Sequence, residues 1–130
     1  MSREIKFRAK TTEESGRSFW VYGNLIIGTI AGDSFAQIEI TNLYDDYRNY
    51  TVIPETIGQY TGLKDKNGTE IYDGDIFRTD YGGIAKVEWD NDNARFLGIN
   101  NEWLFYIARE PLAEVIGNIY ETPELLEESK

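Results

Sequence analysis

Apolar and polar side chains alternate from the start of the chain. In REIKFRAK (residues 3–10), Ile5, Phe7 and Ala9 fall on one side and Glu4, Lys6, Arg8 and Lys10 on the other. That period of two predicts a half-buried strand. TTEESGRS follows as a polar turn. FWVYGNLIIGTI holds β-forming residues on both sides of Gly23-Asn24, which predicts a hairpin there. Ile38 and Ile40 alternate with Gln37, Glu39 and Thr41 in another strand, whereas NLYDDYRNY is irregular and reads as a loop or a short helical turn. Pro54 donates no ladder bond and restricts the residue before it, so a boundary falls near VIPET, dividing residues 1–54 from 55–130.

Beyond Pro54 the pattern is strand and turn in alternation. IAKVEWD sets Ala85, Val87 and Trp89 on one face and Lys86 and Glu88 on the other. EWLFYIA is apolar enough for the deep core, and AEVIGNIY closes the sheet. The tail predicts the one helix: Thr122 as cap, Pro123 at the first helical position and Glu124 near the positive end of the dipole. Many short strands joined by glycine-rich turns predict a mainly β chain built as a small barrel or roll, with an N-terminal β-rich extension and a short C-terminal helix.

The stretch PETIGQYTGLKDKNGTEIYDGDIF, residues 54–77, carries the densest set of turn residues and carboxylates. Counted as a calcium loop from Asp65, the fifth position is Thr69, the sixth Glu70 and the twelfth Ile76, an apolar residue where a bidentate glutamate is needed. As a phosphate loop it lacks the GxxxxGK[ST] spacing. Hairpin chemistry accounts for every position instead. Asn67-Gly68 tolerates positive φ, and Asp65 caps the turn. Leu63 and Ile71 flank it on one face. Gly74 permits a second sharp turn where Asp75 can bind backbone amides.

Composition narrows the chemistry. The chain has 130 residues, no cysteine and no histidine. That excludes disulfides, thiolate metal sites, Ser-His and Cys-His triads and imidazole switches, and it suits a reducing cytosol. No apolar run reaches membrane length and no leader pattern opens the chain, so a soluble, cytoplasmic protein is expected. The net charge of −10 argues against a phosphate backbone as partner. The charge is uneven, because REIKFRAK is basic while residues 112–130 carry five glutamates against Lys130 alone.

With the turns placed, three blocks become recognisable. REIKFRAK, VIPETIGQYTGLKDKNGTEIYDGDIF and EVIGNIYETPELL resemble, in order, the YopX family, small proteins of phages and prophages of mainly Gram-positive bacteria. The resemblance implies an SH3-like barrel in the C-terminal part and action in the host cytoplasm. It supplies no activity, so no residue is carried over as catalytic. Lys10 and Thr11 depart from the tryptophan and acidic residue that often follow the first strand in such proteins.

The expected function is therefore binding, without catalysis, cofactor or metal, to an unidentified host or phage protein. Trp20, Tyr60, Tyr72, Tyr81, Trp89, Trp103 and Tyr106 are the aromatic candidates. Trp89 and Trp103 are expected in the core, and Tyr60, Tyr72 and Tyr81, near turns, on an interaction rim. The alternative is nucleic-acid work, in one of two forms. Lys6, Arg8 and Lys10 would bind it directly, or Asp73, Asp75, Asp80, Asp90 and Asp92 would mimic it. The alternating charges of REIKFRAK would guard an open sheet edge, and a homo-oligomer is compatible with the sequence.

Overall fold

A computed structural model describes residues 4–12, 17–41, 47–79, 83–100, 104–107 and 114–129. The chain is mainly β and divides into two units, Met1–Gln59 and Tyr60–Lys130. They meet inside a strand, so the division read at residue 54 falls within the first unit.

In the first unit, β1 (Phe7–Lys10), β2 (Trp20–Ile30), β3 (Asp33–Thr41) and β4 (Tyr47–Thr51) lie in the order β4-β3-β2-β1, all antiparallel. The opening residues of β5 (Gly58–Lys64) pair with β1 at Phe7–Gln59 and Arg8–Gly58. The predicted β1 alternation holds only in part: Ala9 is fully buried, but Arg8, read on the polar side, is buried as well, and Ile5, read on the inner side, precedes the strand and is exposed. The expected open edge is not found either, because β1 is paired on both sides. One face of the sheet forms the core. Ala9, Val21, Ala36, Ile38 and Val52 are buried there, and Phe7, Leu25, Ile40, Tyr50 and Ile57 pack against them. A 3-10 turn at Pro54–Thr56 is tied to β1 by the Lys10 amide, which donates to Thr56 Oγ1 at 2.9 Å.

The hairpin expected at Gly23-Asn24 is absent: β2 runs unbroken for 11 residues and turns at Ala31-Gly32, with φ of 53° and 88°. Gly23 serves a close approach between strands, since a Cβ there would run into the Glu39 carbonyl oxygen. The irregular reading of NLYDDYRNY is corrected over Tyr47–Tyr50, which belong to β4; residues 42–46 lie outside the described residues, as do 13–16 of the predicted turn.

In the second unit the end of β5 pairs with β6 (Glu70–Tyr72). A five-stranded antiparallel sheet has the order β10-β9-β8-β7-β11, from β7 (Asp75–Arg78), β8 (Ile84–Asp90), β9 (Arg95–Ile99), β10 (Leu104–Tyr106) and β11 (Glu114–Asn118). Among the described residues it does not close into a barrel. Its core is Ile71, Phe77, Ala85, Val87, Phe96 and Ile107, with Leu63 and Val115 against it. Of the stretch EWLFYIA, read as deep core, Ile107 is buried in that core whereas Leu104, on the outer strand β10, is exposed.

The predicted C-terminal α-helix is a 3-10 helix, Pro123–Ser129. The Thr122 hydroxyl does not cap it. That oxygen accepts from the Asn118 amide at 3.0 Å and donates to the Asn118 carbonyl at 3.1 Å, while Leu125 N–H closes an i→i+3 bond to the Thr122 carbonyl. With its hydroxyl turned back to the strand, the tail begins in the tighter winding.

Candidate functional site

The signature stretch is the first place to look for chemistry, and its two buried carboxylates, Asp65 and Asp75, are already engaged. Asp65 is buried. Its Oδ1 accepts from the amides of Asn67 and Thr69, both at 2.9 Å, and its Oδ2 from the Val115 amide in β11 at 2.9 Å. Burial pushes its carboxyl up, but the amides of Val115, Thr69 and Asn67, with the Lys66 charge, hold it below the ordinary carboxylate range. The Gly68 amide bonds back to the Asp65 carbonyl at 3.0 Å, and Gly68 has φ 83°, which makes a type I turn followed by a left-handed glycine. Asp75, also buried, accepts from the Tyr72 amide at 2.8 Å beside Gly74 at φ 92°. The Thr61 hydroxyl donates to the Ile71 carbonyl at 2.8 Å. The motif holds two turns in place.

Tyr60 and Tyr72 do not form an exposed rim. They are 4% and 2% exposed and lie opposite each other on β5 and β6, with ring centroids 5.4 Å apart. Nearness to a turn misled here: both side chains point inward from the strands that the turn joins. Tyr81, the third of the set, lies outside the described residues, as do Asp80, Trp103 and the side chain of Tyr106.

Of the predicted acidic row, Asp80 lies outside the described residues and Asp73 is half-buried. Asp75 is internal, and Asp90 is spent on its own turn. The Asn93 side-chain amide, donating at 2.9 Å, holds the Asp90 carboxyl low against some loss of water. The Asp92 and Asn93 amides and the Arg95 charge add to this. Of the five, Asp92 is the exposed one described. No group of three or more acidic side chains among the described residues is placed to hold a metal ion. A depression of about 230 Å³ in the second unit is lined by Lys86, Ile99, Asn100 and Leu126. Its polar groups are partly engaged, Lys86 with Glu88 at 3.5 Å and Asn100 with the Ile84 carbonyl at 3.0 Å.

What remains is apolar and aromatic. Trp89 is not a core residue: it is 37% exposed at the end of β8, edge-on to Phe96 with centroids 4.8 Å apart. In the first unit the sheet face opposite the core carries Trp20 and Tyr22 from β2 and Arg8 and Lys10 from β1. The Arg8 guanidinium sits 4.8 Å over the Trp20 ring, and Tyr22, directly across from Arg8, is 47% exposed. Of the basic strip, Lys6 pairs with Glu4 at 3.6 Å, Arg8 is buried and Lys10 is half-buried like Trp20, so Tyr22 is the exposed member of this face. Tyr22 was not among the sequence candidates. FWVY read as a strand already sets Trp20 and Tyr22 on one face, but nothing local says that this face lies opposite the core.

A family model described as YopX protein matches residues 6–127. Among solved structures, the crystal structure of protein EF1440 from Enterococcus faecalis is similar, at 27% identity over 96% of this chain and 99% of that one, with a TM-score of 0.49. No curated protein matches.

Proposed function

We propose that this chain, which belongs to the YopX protein family, is a protein-binding module and not an enzyme, encoded by a phage or prophage and acting in the cytoplasm of the bacterial host. The carrying observation is the outer face of β1 and β2, where Tyr22 stands exposed beside a Trp20 ring that the Arg8 guanidinium holds from above. Tyrosine, tryptophan and arginine are the residues that dominate protein interfaces. They combine large apolar area with polar tips, and here two of the three are already ordered against each other, which lowers the entropy cost of docking. The two buried carboxylates of the signature stretch, Asp65 and Asp75, hold backbone amides, which supports a structural role for them.

The second unit is a member of the SH3-like roll class in this proposal. The strand order β11-β7-β8-β9-β10, with the last strand returning beside the first, supports it. Backbone NOEs linking β10 to β11 would establish closure, and a set confined to the neighbouring pairs would leave an open sheet.

The functional test is capture from host lysate, with and without phage infection, on the tagged full chain. Wild type and Tyr22→Ala would be compared at two salt concentrations. A single dominant protein partner retained at both salts and weakened tenfold or more by Tyr22→Ala is the expected result. Nucleic acid that is recovered only at low salt and lost on nuclease treatment would overturn the proposal.

A further inference from the structure

The hairpin turn of the signature stretch is built on the only Asn-Gly pair in the chain, Asn67-Gly68. Such a pair is chemically labile, because no Cβ on the glycine shields its nitrogen from the asparagine side chain. The Gly68 nitrogen loses its proton to hydroxide, and its electron pair forms a bond to the Asn67 side-chain carbonyl carbon. The side-chain nitrogen takes up a proton and leaves as ammonia, and a cyclic imide remains. Water then opens the ring at either carbonyl. One opening gives aspartate, the other isoaspartate, which carries an extra methylene in the main chain.

Access does not prevent this reaction. Asn67 and Gly68 are both exposed, and the space where a Gly68 Cβ would stand is open. The restraint comes from Asp65. Its carbonyl accepts the Gly68 N–H at 3.0 Å, so the proton that must leave is already held. One carboxylate oxygen, Oδ1, accepts from the amides on either side of Gly68, those of Asn67 and Thr69, both at 2.9 Å. A carboxylate so close to the Gly68 nitrogen disfavours the negative charge which that nitrogen must bear to attack. The same bonds pin the main chain on both sides, and the second oxygen is anchored to the Val115 amide of β11 at 2.9 Å.

We propose that Asp65 guards the Asn67-Gly68 peptide against deamidation, so that the signature turn is a modification site kept closed by its own cap. Once the guard fails, reclosure is hindered. The isoaspartate methylene falls between the amides of residues 67 and 69, whose spacing lets one oxygen accept from both, and the new carboxylate stands beside that of Asp65. The guard lies apart from the outer face of β1 and β2 and does not depend on the function proposed above.

The test is incubation of the full chain at mildly alkaline pH, with mass spectrometry of its peptides to follow loss of the Asn67 amide. Folded wild type is compared with wild type unfolded in guanidinium chloride, a comparison that needs no variant. Deamidation at Asn67 should be about tenfold slower or more in the folded chain. Asp65→Asn, which keeps the shape of the cap and removes its charge, should speed the folded chain by about tenfold. Val87→Ala weakens the core of the same unit away from the turn and should leave the rate near that of wild type. Circular dichroism checks that both variants are folded. Equal rates in folded and unfolded wild type would overturn the proposal. So would an Asp65→Asn chain no faster than wild type, or a Val87→Ala chain as fast as Asp65→Asn, which would trace the reaction to general unfolding of the unit.

Discussion

At the scale of single residues, Asp65 is where the signature stretch concentrates its stability. One carboxylate satisfies two amides of its own turn and a third from β11, fifty residues away. Asp65→Ala would leave those buried or half-buried donors without their acceptor, and should cost on the order of 3 kcal/mol in urea denaturation. The pH dependence has a definite sign. Burial alone would raise the folded carboxyl, but the three amides and Lys66 win and its folded value lies below the unfolded 3.8. The stability Asp65 contributes is therefore complete above the unfolded value and is lost as pH falls through the folded one. Wild type should lose stability on acidification below about pH 5, and Asp65→Asn should lose less over the same range. Equal slopes for the two proteins would show that Asp65 does not titrate on unfolding. This residue's role was readable in the sequence, since a short acid two positions before Asn-Gly is a turn cap. The Val115 contact was not, because nothing local announces a partner fifty residues on.

At the scale of elements, the strands with clean alternation were legible and the glycines were ambiguous. Gly68 and Gly74 do adopt the left-handed conformation that their turns require. Gly23 looks the same in sequence, next to an asparagine and among β-formers, yet it lies mid-strand in register with Phe7. A glycine supplies either positive φ or absence of a Cβ, and the local sequence does not say which. The distinction is measurable. Gly23→Ala adds a Cβ against the Glu39 carbonyl and should destabilise the first unit by about 1–3 kcal/mol through forced separation of β2 and β3. A Gly23→Ala chain as stable as wild type would mean that those strands part without cost. In the tail, the Thr-Pro-Glu start signal pointed to an α-helix where the chain forms a 3-10 segment. The bonds between Thr122 and Asn118, which set its winding, come from the preceding strand and bulge, and Gly117 has no room for a Cβ beside that hydroxyl.

At the scale of the whole molecule, charge works against the fold that packing supports. Twenty-three acidic side chains face thirteen basic ones. The ion pairs Lys6–Glu4, Lys86–Glu88 and Arg95–Asp90, at 3.5–3.6 Å, lie at the surface, where each is worth about 1 kcal/mol or less. Self-repulsion is longer in range than these contacts and is summed over every acidic pair, so screening should relieve more repulsion than it removes attraction. Raising ionic strength from about 0.01 M to 1 M shortens the screening length from roughly 30 to 3 Å. The urea midpoint should therefore rise with sodium chloride, by an amount on the order of 1 kcal/mol in stability. Working at low protein concentration keeps self-association from contributing to that rise. A midpoint that falls with salt would mean that the surface ion pairs outweigh the net charge.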